Sequence, residues 1–194
     1  MLLAGCSAAR PSRPNDLCSV FGENPDWYEE ARDSYRRWGV PVPLQLAVIN
    51  RESGFVSDAR PARHWYLGFI PGPRPSSAYG YGQVLDATWG WYQDTNGEPF
   101  ADRDDFGDVT DFIGWYGDVG QRRHGIRKDD PYSFYLSYNL GHAGYQRSRR
   151  RRPGPAERVA REVAAQTSRY SRQYQSCRAS LDDEIDSSSL WPFD

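Results

Sequence analysis

The chain is poor in several things that would have directed it elsewhere. Lys128 is the single lysine among 24 basic residues, so positive charge is carried almost wholly by arginine, which a GC-rich genome explains as readily as function does. An excess of one sign is also lacking: 24 basic residues face 26 acidic ones, for a formal charge of -2. A near-neutral chain has no whole-protein field to draw in nucleic acid, and no such partner is expected. Alternating runs of β-branched residues are missing, which argues against a sheet-based fold. No stretch approaches the roughly 18 apolar residues of a membrane-spanning helix. His64, His124 and His142 lack the spacing to cysteine or acidic partners that a metal site requires, so neither a metal nor another cofactor is expected.

What remains is a globular composition. The 194 residues have 38% apolar content and 18 glycines, enough for one sizeable core and too little for two full domains. Aromatics are plentiful, with 7 tryptophans and 13 tyrosines, and several stand in pairs: Trp27-Tyr28, Trp65-Tyr66, Trp91-Tyr92 and Trp115-Tyr116. Such rings fill cores, and their faces also stack on sugars.

Periodicity points to helices. Asn24-Pro25-Asp26 opens one whose apolar face is Trp27, Ala31, Ser34 or Tyr35, and Trp38, with Gly39 as its stop. Pro43 starts the next, where Leu44, Leu46, Ala47, Val48 and Ile49 cover so much of the circumference that the helix should run through the core. Gly54 to Ser77, with Pro61, Pro71, Pro73 and Pro75, reads as a long loop. Further helices are predicted at 86–94, capped by Asp86 and closed by Asn96-Gly97, and at 107–119. Another spans 130–139, with Gly141 as a left-handed cap. The last starts at Pro155 and presents Ala160, Val163, Thr167, Tyr170, Tyr174 and Cys177 as one stripe. The expected fold is mainly α, a single domain of about six or more helices with a Pro-rich loop beside the site. Residues 1–23 read as a tether, 24–180 as the domain, and 181–194, apart from Trp191 and Phe193, as a loose acidic tail.

Leu2-Leu3-Ala4-Gly5-Cys6-Ser7 resembles the lipobox of bacterial lipoproteins, in which the cysteine is acylated. A complete signal has a charged n-region and an apolar stretch of about 7 to 15 residues. The few residues before Cys6 imply a misassigned start, a trimmed precursor or a chance match. A lipid on Cys6 would be the membrane attachment. Cys18 and Cys177 remain; an oxidising compartment would let them pair, and the alternative is two unpaired buried thiols. The lipobox points outside the cytosol, and so to the bridge.

Three polar signatures follow one another: Glu52-Ser53 at the end of the apolar helix, Gly80-Tyr81-Gly82-Gln83, and Tyr138-Asn139-Leu140-Gly141. A carboxyl at the C-terminal end of a buried helix faces the negative pole of the helix dipole and loses water, and both effects favour its protonated form. That is the state a general acid needs near neutral pH. Together these segments resemble the lysozyme-like lytic transglycosylases with the soluble-lytic-transglycosylase domain, more distantly the goose-type lysozymes, over about residues 40 to 145. Glu52-Ser53 matches that family's Glu-Ser. Gly80 and Gln83 match the ends of its Gly-Leu-Met-Gln motif, where Tyr81 and Gly82 depart. Tyr138, Asn139 and Gly141 match Ala-Tyr-Asn-x-Gly, with Ser137 in place of alanine.

The resemblance implies cleavage of the β-1,4 bond between N-acetylmuramic acid and N-acetylglucosamine in peptidoglycan, with the muramic acid's C6 hydroxyl as nucleophile and a 1,6-anhydro product. It implies Glu52 as acid and base, a Tyr138 hydroxyl directed at Glu52, and Ser53 and Gln83 bonded to carboxyl or sugar. Asn139 would shape the helix end, and Tyr81 would stack on a sugar in the groove floor. It also implies, with the lipobox, the periplasmic face of a Gram-negative outer membrane. A hydrolytic muramidase and a non-catalytic wall-binding lipoprotein stay open as alternatives. Nothing in the residues speaks to oligomeric state. Arg147 to Arg152, with five arginines in six positions, reads as a solvated turn or as an anion-attracting patch.

Overall fold

The computed structural model describes residues 10–63, 65–66, 70–150 and 152–188. Seven helices follow one another in them: α1 (Leu17–Glu23), α2 (Pro25–Trp38), α3 (Val42–Glu52), α4 (Asp86–Asn96), α5 (Phe106–His124), α6 (Pro131–Ser148) and α7 (Pro155–Ser188). Two two-residue strands, β1 (Trp65–Tyr66) and β2 (Ile70–Pro71), pair antiparallel within the Pro-rich segment, Trp65 opposite Pro71 and Tyr66 opposite Ile70. The fold is mainly α, as expected. Cys6, His64, Trp191 and Phe193 lie outside the described residues. No helix among those described is long and apolar enough to cross a membrane.

The α3 helix is the centre of the packing. Every residue from Val42 to Ile49 is buried, because a helix apolar around its whole circumference has no side to give to water. Its one polar interior residue, Gln45, donates through Nε2 to the carbonyls of Val40 (2.8 Å) and Ala31 (3.2 Å). The long α7 lies against both α3 and α6, while α2 packs along α5. On α2 the inward residue is Ser34, whose hydroxyl donates to the Thr110 carbonyl at 2.6 Å, while Tyr35 is exposed. The predicted stripe of α7 faces inward through Ala160, Val163, Thr167 and Tyr170.

Four expectations are corrected. The stretch read as a tether ends in a packed helix: Leu17, Val20 and Phe21 of α1 are fully buried, and Asp16 caps it by accepting from the Ser19 amide at 3.2 Å. At seven residues, α1 is too short to form without these tertiary contacts. At the other end, α7 runs on to Ser188 instead of yielding to a loose tail at 181. Leu181 is buried, and Asp182 accepts from Tyr28 (2.6 Å) and Arg32 (2.9 Å). Asp86 does not cap α4; Leu85 occupies that position and Asp86 instead pairs with Arg103 at 2.7 Å. Finally, Gly141 is not a left-handed cap. Its φ of 69° comes with a ψ of 162°, a conformation open to glycine, and helix resumes beyond it to Ser148.

Cys18 and Cys177 are joined, at a sequence separation of 159 and with Cα atoms 6.0 Å apart. The bridge ties α1 to α7. Closing so long a loop restricts the unfolded chain by on the order of 5 kcal/mol in the chain-entropy account, although bridges of this kind generally deliver about 2–5. Replacing both cysteines by serine is expected to lower the unfolding free energy by about 2–5 kcal/mol in urea titrations. Wild type under reducing conditions should show the same loss.

Candidate active site

Three departures from regular helix build a cleft. At the end of α3 the chain reverses through Gly54 (φ 60°) and Phe55 (φ 66°), which sends the fully buried Phe55 ring back against Trp27. This leaves Glu52, two residues before Gly54, at the edge of the core. The second departure is the turn between Tyr79 and Val84, which bridge each other. Its Gly80 (φ 77°) lies so close to the Arg103 carbonyl that a Cβ would sit 1.9 Å from that oxygen, so only glycine fits. The third is the break at Gly141 in α6.

These segments enclose a cleft of about 540 Å³ lined by Glu52, Gln83, Thr88, Tyr116, Tyr138 and Asn139, with Val84, Leu85, Phe112 and Leu140 among its apolar walls. Loss of water around the Glu52 carboxyl pushes its pKa up to about 7. A hydrogen bond from the Tyr135 hydroxyl (2.8 Å to Oε1) and the neighbouring Arg51 charge pull it the other way. Desolvation wins, so near neutral pH both protonation states are populated. A raised pKa alone does not mark a site. Glu30 is also pushed up to about 7 by burial and by Asp105, Asp26 and Asp108, yet it packs under Gly107, outside the cleft.

The residue that holds Glu52 is Tyr135, which the sequence reading passed over. Tyr138, expected to point at Glu52, donates instead to the Gly82 carbonyl at 2.7 Å. The signal for Tyr135 was its position three residues before Tyr138, which puts both rings on one helix face. Gly82 follows from the same contact: a Cβ there would sit 2.8 Å from the Tyr138 hydroxyl and 3.1 Å from Val84 Cγ2. Its departure from the family motif is therefore the counterpart of where Tyr138 sits.

The remaining expected residues divide. Gln83, at φ 49°, lines the cleft and donates through Nε2 to the carbonyls of Ala59 (2.8 Å) and Gly80 (3.0 Å), holding the turn closed. Asn139 is exposed and lines the cleft. Ser53 does not reach it; its hydroxyl donates to the Ile49 carbonyl at 3.3 Å and finishes α3. Tyr81 is not a sugar platform. It is buried edge-on against Trp27 (5.6 Å) and Phe106 (5.5 Å), because the turn directs it into the core.

His142 stands behind the cleft wall, stacked on Tyr116 at 4.4 Å and 5.1 Å from the His124 ring. Burial first, then His124 and Arg123, lowers its pKa to about 4. Of the aromatic pairs, Trp27, Tyr28, Tyr92, Trp115 and Tyr116 are core.

Comparison with known proteins gives one match. The transglycosylase SLT domain family matches residues 1–177, a span that takes in α1 and most of α7. Neither a curated protein nor a solved structure matches the chain.

Removing the Tyr135 hydroxyl takes away a bond that favours the ionised carboxylate. Tyr135→Phe is therefore expected to raise the Glu52 pKa by roughly half a unit to one unit. Titration of the Glu52 side-chain carbon by NMR checks this; an unchanged or lower pKa contradicts it.

Proposed function

Because the chain belongs to the transglycosylase SLT domain family, with its peptidoglycan-lytic type of activity, we propose a lytic transglycosylase. It would cut the bond between N-acetylmuramic acid and N-acetylglucosamine and leave 1,6-anhydro ends. The observation that carries the reading is that Glu52 is the single carboxyl among the described residues lining the cleft, and its pKa is raised to about 7. Neither Asp58 nor Asp86 is among them. Most glycosidases set two carboxyls across the scissile bond, whereas substrate-assisted enzymes use a group of the substrate in place of the second.

The steps need one proton carrier. Glu52 gives its proton to the bridging oxygen as the C1–O bond breaks, and that bond's electrons leave with the N-acetylglucosamine. The muramic acid's N-acetyl oxygen bonds to C1 and covers the cationic centre. Glu52, now a carboxylate, takes the proton of the C6 hydroxyl, and O6 displaces the acetyl oxygen from C1. The carboxyl is thereby reset. Tyr135 keeps it oriented through both transfers, and Gln83 and Asn139 are the polar groups of the wall that can meet sugar hydroxyl and acetamide groups. In the hydrolytic alternative water replaces O6, and no particular contact favours it.

Mass spectrometry of digested peptidoglycan tests the reading. Anhydro ends are expected, with a rate that falls as pH rises through about 7 because the first step needs protonated Glu52. Glu52→Gln is expected to lose more than about a thousandfold in rate, consistent with removal of general acid catalysis, while retaining glycan binding. Reducing ends would make the protein a hydrolase, and intact glycan a binding protein.

The reading includes a location, the periplasmic face of an outer membrane, through a lipid on Cys6. Its motivation is the lipobox-like run Leu3-Ala4-Gly5-Cys6. Metabolic labelling with a fatty acid should mark the wild type and spare Cys6→Ala; labelling of neither would sink the anchor.

A further inference from the structure

Four arginines cluster at the end of α6 and just beyond it. Elsewhere Arg32, Arg37, Arg51, Arg103, Arg122 and Arg178 are each paired with a carboxylate. Arg147, Arg149, Arg150 and Arg152 are exposed, and none forms an ion pair among the described residues. In a chain of near-neutral balance, four neighbouring guanidinium groups without a carboxylate partner make a local concentration of positive charge.

Their position gives this charge a use. A hollow of about 350 Å³ is lined by Arg147, Arg152, Ser148, Gly144 and Leu140. Leu140 also lines the Glu52 cleft, so the two concavities meet at one side chain. The break at Gly141 brings this about, since it redirects the last part of α6 and carries the arginine turn to the cleft's end. The one carboxylate in the hollow, Glu157, is engaged: its Oε2 accepts the Gly154 amide at 2.6 Å and closes the start of α7. The hollow therefore offers two guanidinium forks to an anion, the geometry that suits a carboxylate.

Resting on the peptidoglycan reading above, we propose that this hollow binds a carboxylate of the peptide stem borne by the glycan strand. The protein would then favour peptide-bearing strands over bare ones. The contacts are exposed, so each is weak and screened by salt. The discrimination acts through KM, and the chemistry at Glu52 is untouched.

The test uses the full chain and two substrates: glycan strands carrying their stems, and the same strands stripped of stems by an amidase. On peptide-bearing strands, Arg147→Ala combined with Arg152→Ala is expected to raise KM about fivefold, as two exposed ion pairs allow, with kcat unchanged. KM on stripped strands should not move, and the wild type's preference for stems should fade with added salt. Equal changes on both substrates, or none on either, overturn the proposal. Cosedimentation of wild type and variant with both strands is run alongside. Should the wild type cut neither strand, the catalytic reading fails by itself, and the binding ratio still decides this one. Arginine-dependent binding to phosphatidylglycerol vesicles with no stem preference would assign the patch to lipid and overturn the proposal.

Discussion

The α3 helix has to be sheathed on every side, and the rest of the molecule is arranged around that requirement. Eight consecutive buried residues leave it no exposed face until Asn50, so α7, α2 and α5 pack around it and the polar end of α3 falls at the margin of the core. Glu52 is where the sheath stops. Its carboxyl is dry enough for its pKa to reach about 7, and among the described residues it accepts from the Tyr135 hydroxyl. A mobile or solvated helix end would have let the carboxyl ionise in water like any surface glutamate.

The two tyrosines on one face of α6 divide the work of assembling the cleft. Tyr135 ties α6 to the end of α3, and Tyr138 ties it to the backbone of the 80–83 turn. That turn is held in three further ways: Gly80 lies against the Arg103 carbonyl, Gln83 bonds across it, and Tyr81 is anchored between Trp27 and Phe106. The site is thus set by side chains whose own positions are fixed by packing, the arrangement that keeps a reacting group in place. The substituted motif residues Tyr81 and Gly82 belong to this framework: one is an anchor and the other makes room.

Much of the helical layout was legible, for local reasons. Long amphipathic or all-apolar stretches bounded by proline and glycine announce themselves, and α2, α3, α5 and the body of α7 were read close to where they lie. The misses occur where long-range contacts outvote local pattern. The seven residues of α1 carry too little periodicity to stand out, and they are helical because α7 and the Cys18–Cys177 bridge lie against them. The end of α7 has a tail's composition, but Tyr28 and Arg32 give Asp182 partners. Asp86 fits a cap by type, yet the nearby Arg103 takes it.

By itself the sequence determined that this chain folds mainly into helices, that one of them is buried throughout, and that a glutamate stands at its end ahead of two further polar signatures. Those follow from hydrophobic periodicity and chain order, which are properties of neighbours along the chain. Only the tertiary structure decided which hydroxyl meets Glu52, that Tyr81 turns inward, and that the arginine turn adjoins the cleft. Each of these is a choice among side chains a few residues apart, made by the direction of a backbone turn. One residue of register separates a group in the cleft from a group in the core.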